Sequence, residues 1–127
     1  MNNKSFEELK EYVLDWAEDK DLLHAENADK QFMKFIEEVF EFKSELDYFI
    51  KAKEILDLNN DNSYEKEKYK LISERMILEY GDILVTLIIL AKQLDIDPVI
   101  CLQLAYEKIK DRKGQTINGK FVKEEDL

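Results

Sequence analysis

Apolar residues recur at helical spacing along most of the chain, interrupted by a few short polar segments. A capping box formed by Ser5 and Glu8 precedes apolar positions spaced three and four apart, which predicts a first helix over about 5–20. A broad apolar stripe further on predicts a second, long helix whose cap is Asn27 or Asp29.

The second half of the chain continues this pattern. The polar segment 58–63 is typical of a loop, and a third helix is predicted from Ser63 to about Leu94. A fourth helix is predicted over about 98–112, with its proline in the first turn, where proline is well tolerated. The residues from Gly114 onward predict an ordered but irregular tail. The pattern therefore predicts a single all-α domain over 1–127, a four-helix bundle whose two long helices run antiparallel.

Composition narrows the possible partners and the compartment. The chain of 127 residues carries a net charge of −10, which argues against a nucleic-acid polymer or an anionic membrane as its partner. Cys101 is the only cysteine, falls in an apolar helix and is predicted to lie in the core. No disulfide can form within the chain, the first ten residues lack an apolar signal-peptide core, and no apolar run is long enough to span a bilayer. A cytoplasmic protein is expected.

Two pairs of carboxylates stand within these apolar helices. Glu38 and Glu41 lie three apart on the second helix, and Glu79 and Asp82 have the same spacing on the third, so each pair shares a helix face. If the helices pack antiparallel, the pairs face each other, and Gly81 would let the backbones approach closely. An all-oxygen set suits Mg²⁺ or Mn²⁺. The alternative is a solvated acidic face, which is common in a chain with 29 acidic residues.

The order of these motifs resembles a known family. An E-E-x-x-E motif on one helix, followed by E-x-x-D on the next, an apolar helix and a basic tail, is similar to the MazG-like all-α nucleoside triphosphate pyrophosphohydrolases. The resemblance extends from about Trp16 to Lys123, and its motifs read EEVFE and EYGD here. It implies a MazG-like four-helix bundle that hydrolyses a nucleoside triphosphate to the monophosphate and pyrophosphate.

The resemblance also implies roles for individual residues. Mg²⁺, with Mn²⁺ as a possible substitute, would be held by Glu38, Glu41, Glu79 and Asp82. Glu41 would be the general base that accepts a proton from the attacking water, and Glu37 an additional ligand or a support for the ligands.

Basic residues near the end of the chain are candidates for binding the substrate phosphates. Lys108 and Arg112 lie four apart on one helix face, and arginine can grip phosphate oxygens with two hydrogen bonds. Lys113 is a further candidate, although a lysine at a helix C-terminus can simply complement the helix dipole. Lys34, one turn before Glu38, is another phosphate ligand candidate, and Gln31 could meet the nucleobase or sugar.

The third helix is apolar on all sides after Asp82, which predicts a homodimer or a dimer of dimers. Two other functions stay open at this point. One is a non-catalytic helical oligomer that binds nucleotide or a protein partner, and the other is hydrolysis of phosphoribosyl-ATP. Trp16 could either pack in the core or stack on a base.

Overall fold

The fold consists of helices followed by one short hairpin of strands. A computed structural model describes residues 3–59 and 62–127. The elements are α1 (Phe6–Asp19), a 3₁₀ turn (Ala25–Asn27), α2 (Ala28–Leu58), α3 (Ser63–Gln93), α4 (Pro98–Ile109), β1 (Gly114–Ile117), β2 (Lys120–Lys123) and a terminal 3₁₀ turn (Glu124–Asp126). The predicted all-α class is confirmed, and the chain divides into two compact units, Met1–Asp95 and Ile96–Leu127.

The helix starts follow local chemistry. The Ser5 hydroxyl accepts from the Glu8 backbone N–H at 3.1 Å, and the Glu8 carboxylate accepts from the Ser5 N–H at 3.1 Å, so the predicted capping box is present. Asn27 precedes α2, but its side chain makes no cap hydrogen bond. Asn62 caps α3 by accepting from the backbone of the next turn. Residues 60 and 61 of the predicted loop lie outside the described part.

In the first unit, α2 and α3 form an antiparallel hairpin. The Phe49 ring lies 5.3 Å from that of Tyr69, and further along the pair the Gln31 amide donates to the Thr86 carbonyl. Later residues of α2 thus meet earlier residues of α3, as predicted. The shorter α1 packs against α3.

A heptad seam joins the two long helices. Every position spaced alternately four and three residues apart along the facing edges is buried or half-buried, as expected for an antiparallel coiled coil. The heptad seam consists of Gln31, Phe35, Glu38, Phe42, Glu45, Phe49, Ala52 and Leu56 on α2, and of Glu65, Tyr69, Ile72, Met76, Glu79, Ile83, Thr86, Leu90 and Gln93 on α3. Polar residues recur at intervals of seven along part of each edge, at Gln31, Glu38 and Glu45 on α2 and at Glu79, Thr86 and Gln93 on α3.

Gly81 does not have the predicted role in this seam. A Cβ atom added at Gly81 would meet no neighbouring atom within 4 Å, so α2 and α3 do not approach closely there. The expectation of a close approach was wrong because Gly81 is two residues from both Glu79 and Ile83 and therefore lies on the face of α3 opposite the heptad seam. The backbones are separated by the side chains of the seam itself.

The second unit contains α4 and the hairpin of strands. Asp97 caps α4 by accepting from the Val99 N–H at 2.8 Å, and the helix ends at Ile109, shortly before the predicted residue 112. Cys101 is exposed, so its predicted place in the core is wrong. The apolar pattern around it identified a helix, but not what covers that helix.

The tail is more regular than predicted. β1 pairs antiparallel with β2, from Gly114 opposite Lys123 to Ile117 opposite Lys120. The connecting Asn118 and Gly119 have φ values of 52° and 77°. Two positive φ angles at the centre of a two-residue loop favour Asn-Gly, the sequence found here. Within residues 3–59 and 62–127, no helix combines the length and apolar character that crossing a membrane requires.

Candidate metal centre

Three carboxylates meet at the middle of the heptad seam. One oxygen from each of Glu38, Glu41 and Glu79 lies within 4.8 Å of the other two. Glu38 and Glu79 are seam positions, so the packing that forms the hairpin also brings them together. Glu38 is only 7% exposed, Glu79 is half-buried and Glu41 is exposed to solvent. We call these three residues the carboxylate cluster. The cluster lies at the surface of the hairpin, with Glu38 buried and Glu41 open to solvent.

Two oxygens of the carboxylate cluster lack partners. Oε2 of Glu38 and Oε2 of Glu79 are buried, and no described residue donates a hydrogen bond to either. A buried acceptor without a donor costs free energy, and a buried charge costs more unless it is compensated. The cluster therefore requires a cation or bound protons.

The pKa values of Glu41 and Glu79 also reflect the excess of negative charge in the cluster. The negative charge of Glu38 raises the pKa of Glu41, and so does the hydrogen-bond interaction between these two side chains. Burial and the charges of Glu79 and Glu37 raise it further. Burial raises the pKa of Glu79, and the charges of Asp82 and Glu38 raise it further, although proximity to Glu41 acts in the opposite direction. The surrounding negative charges thus make ionisation of Glu41 and of Glu79 less favourable.

Lys34 provides one positive charge beside the cluster. Its ammonium lies 3.3 Å from Oε1 of Glu38 and 3.4 Å from Oε2 of Glu37. Hydrogen bonds to Glu38 and then Glu37 raise the pKa of Lys34, which therefore stays charged at neutral pH. One ammonium at Oε1 leaves the opposite oxygen of Glu38 unpaired. On the other side of the cluster, Arg75 Nε lies 3.1 Å from a Glu45 oxygen.

A cavity of about 390 Å³ opens next to the cluster. Asp82 is not one of the three clustered carboxylates, but it lines this cavity together with Glu38 and Lys34. Glu37 is exposed and is held by Lys34. The remaining walls of the cavity are Trp16, Leu22, Gln31, Val85, Thr86 and Ile89.

Gln31 lies at the far end of this cavity from the cluster. Its amide nitrogen donates to the Thr86 carbonyl at 3.3 Å, and Gln31 also lines a neighbouring cavity of about 240 Å³ with Asn27, Lys30 and Gln93. Trp16 is half exposed and forms part of the wall. The predicted residues Gln31 and Lys34 are therefore brought to the same cavity as Glu38 and Asp82.

The other predicted phosphate ligands belong to the second unit. Lys108 lies in the last turn of α4 and is exposed, while Arg112 is half-buried after the helix end. Lys113 is exposed, and its carbonyl accepts from the Glu124 N–H at 2.9 Å, which ties the start of the hairpin to its end. Their role in binding phosphate stays a prediction.

Thr86 and Gln93 also belong to this region, although the motifs of the sequence did not predict them. Both follow Glu79 at intervals of seven, so extending the heptad from Glu79 would have found them. The Gln93 amide donates to the Leu22 carbonyl at 2.8 Å and fastens the segment after α1 to α3. Leu22 in turn lines both cavities, and its position depends on tertiary packing.

Comparisons of the chain with protein-family models, curated proteins and solved structures gave no match. The interpretation of the site therefore depends on its chemistry. Carboxylate oxygens are the ligands preferred by hard divalent cations, and the cluster supplies no nitrogen or sulfur that would favour a softer metal. The residues are compatible with Mg²⁺, because the donor set is all oxygen and includes two buried oxygens to which no described residue donates.

Proposed function

We propose that this protein is a Mg²⁺-dependent nucleoside triphosphate pyrophosphohydrolase. The observation that carries the proposal is the carboxylate cluster with its unpaired buried oxygens on Glu38 and Glu79, adjoining a cavity that contains Lys34. With a divalent cation bound, such a site would hold the phosphates of a nucleotide next to the acidic side chains, and the cavity would leave room for the rest of the nucleotide. The resemblance of the two motifs to MazG-like enzymes supports the same function.

Glu38, Glu41 and Glu79 would hold the metal, with Asp82 contributing from the cavity side. Mg²⁺, or Mn²⁺ in its place, would neutralise the phosphate oxygens and the charge that develops during displacement. Glu38 and Glu79 provide the buried half of the ligand set, whose positions are set by the heptad seam.

The remaining steps are assigned to side chains of the protein. Glu41 is the exposed member of the cluster, and its raised pKa suits a general base that accepts the proton of the attacking water. The water oxygen bonds to the α-phosphorus as the bond to the bridging oxygen breaks, releasing monophosphate and pyrophosphate. Lys34 binds a phosphate oxygen, and Glu37 positions the Lys34 ammonium.

Lys108, Arg112 and Lys113 are proposed to bind the outer phosphates. In a chain of net charge −10, these cations form a local reversal of sign that suits a polyanionic substrate. Arg112 can make two parallel hydrogen bonds to phosphate oxygens, whereas the lysines act as point charges.

A second copy of the chain is the proposed partner. Phe40, Ile77 and Leu78 are 68%, 64% and 69% exposed, and they lie on α2 and α3 at the same level along the hairpin as the carboxylate cluster. Two antiparallel helices bury little apolar surface alone, and two such hairpins can pack as a four-helix bundle. Light scattering is expected to give a dimer or tetramer, and a monomeric mass would contradict this part of the proposal.

The test is pyrophosphate release from canonical and modified nucleoside triphosphates and from phosphoribosyl-ATP, with and without Mg²⁺. Glu38→Gln should lower kcat/KM more than about 100-fold, because removing a ligand costs more than disturbing its support. Glu54→Gln, an exposed position on α2, is the matched control. Mg²⁺-dependent stabilisation without hydrolysis of any substrate would favour the non-catalytic alternative.

A further inference from the structure

The orientation of the Gln31 amide is set by its neighbour. The Thr86 carbonyl can only accept a hydrogen bond, so the atom that faces it at 3.3 Å must be the amide nitrogen of Gln31. The amide oxygen is therefore turned the other way. Among the described residues, none donates a hydrogen bond to this oxygen, and Gln31 lines both the cavity beside the carboxylate cluster and its neighbour. Its amide oxygen is therefore an acceptor without a protein partner at the edge of the cavity.

Thr86 itself is held rigidly. It is buried, and its hydroxyl donates to the Ile83 carbonyl at 2.7 Å within α3. The carbonyl that orients Gln31 belongs to the backbone of a regular helix, so it does not reorient when a ligand enters. This hydrogen bond positions the amide before a ligand binds, which favours discrimination between ligands.

The distance between Gln31 and the carboxylate cluster matches the distance between the phosphates and the base of a nucleotide. Gln31 precedes Glu38 by two helical turns, about 10 Å along α2, and Thr86 follows Glu79 by the same interval on α3. A nucleotide whose phosphates lie at the cluster would place its sugar and base along this length. The walls at that end include the apolar side chains of Leu22, Val85 and Ile89.

We propose that Gln31 is a specificity-determining residue that accepts a hydrogen bond from the exocyclic amino group of the base. The inference rests on the proposed nucleotide substrate and names its class: amino-bearing bases, cytosine or adenine, are preferred to their oxo counterparts, uracil and hypoxanthine. An oxo group would set one acceptor against another and leave both unpaired, which is a costly mismatch in a partly buried site.

The experiment compares CTP with UTP and ATP with ITP, pairs that differ at the amino position. Wild type should favour one amino-bearing nucleotide over its oxo partner by about tenfold or more in kcat/KM. Gln31→Met keeps the length of the side chain without the acceptor and should bring that ratio to about one. Gln103→Met, on the exposed surface of α4, should leave the ratio unchanged.

Nucleotide binding provides an independent readout. Thermal stabilisation by the same four nucleotides with Ca²⁺ should show the same preference, and the melting temperature of Gln31→Met shows whether that variant folds. Equal use of both members of each pair, or a preference for the oxo member, would overturn the role of Gln31 while leaving the hydrolase proposal intact. Absence of both hydrolysis and binding would overturn both proposals, whereas selective binding without hydrolysis would overturn only the hydrolase.

Discussion

The ammonium of Lys34 lies 3.3 Å from Oε1 of Glu38, one turn away on the same helix and beside a carboxylate that is almost fully buried. This contact supplies a positive charge to the carboxylate cluster from within the protein. It also opposes the entry of a second cation, because Lys34 and a metal ion would compete for the same carboxylate. If the protein hydrolyses nucleotides as proposed, the substrate phosphates would relieve this competition by attracting the ammonium.

Lys34→Met should therefore strengthen Mg²⁺ binding in the absence of nucleotide and raise KM for the triphosphate severalfold. The metal-free protein should melt at a lower temperature, because Glu38 loses its partner. Thermal melting over a Mg²⁺ titration, together with steady-state kinetics, measures both effects. Lys43→Met is the matched control, since Lys43 pairs with the exposed Asp47 one turn away. Weaker Mg²⁺ binding in Lys34→Met would show that Lys34 supports the metal site instead.

Glu79→Gln should stabilise the metal-free protein and abolish its stabilisation by Mg²⁺. Burial and neighbouring negative charges disfavour the ionised Glu79, so an uncharged isostere removes a cost that the metal-free fold carries. We expect the melting temperature to rise by about 2–5 °C. Glu67→Gln, an exposed position on α3, should change neither quantity. A metal-free variant that melts lower than wild type would contradict this interpretation of the cluster.

The stability of the metal-free protein should fall as pH rises above about 4.5, through the raised pKa values of Glu41 and Glu79. In this interval the folded state retains protons that the unfolded chain has lost, so a rising pH favours unfolding. Saturating Mg²⁺ should show the opposite trend, because the metal binds the deprotonated carboxylates. Melting temperatures from about pH 5 to pH 8, with Mg²⁺ or with chelator, test both signs. If the melting temperature changes with pH in the same way in Mg²⁺ and in chelator, protons and Mg²⁺ do not bind the same carboxylates, and the interpretation is wrong.

Gly81→Ala should stabilise the protein by about 0.5–1 kcal/mol, because glycine within a helix loses more backbone entropy than alanine. The added methyl group meets nothing within 4 Å in the chain. Gly114→Ala is the contrasting variant, since its Cβ would lie 2.2 Å from the Val122 carbonyl oxygen and should disrupt the hairpin. Chemical denaturation measures both changes. Destabilisation by Gly81→Ala would indicate that a second copy occupies the space beside Gly81.

Local features of the sequence predicted most of the secondary structure. The capping box at Ser5 and the proline after Asp97 act over one helical turn, so their effects can be recognised without the rest of the fold. The Asn118–Gly119 hairpin is equally local but was not predicted, because helical periodicity carries no signal for two strands of four residues each. The exposed position of Cys101 could not be predicted in this way, since burial depends on which surfaces meet.

In the candidate site, too, some features follow from local sequence and others depend on how the helices pack. The spacing of Glu38 with Glu41, and of Glu79 with Asp82, predicted two acidic helix faces. Spacing alone does not distinguish the two carboxylates of each pair. In the structure Glu38 and Glu79 enter the heptad seam, whereas Glu41 and Asp82 flank it, and only Glu41 joins the cluster.

The sequence by itself determined that the protein is helical, where its helices begin, and which carboxylates stand among apolar residues. These properties depend on interactions between residues a few positions apart. Only the tertiary structure decided that Glu38 meets Glu79 and that Gln31 meets Thr86. Such pairings depend on the register of two helices, which is set by the packing of large side chains such as Phe49 and Tyr69 across the heptad seam. A shift of that register by one turn would leave every helix intact and separate the carboxylates.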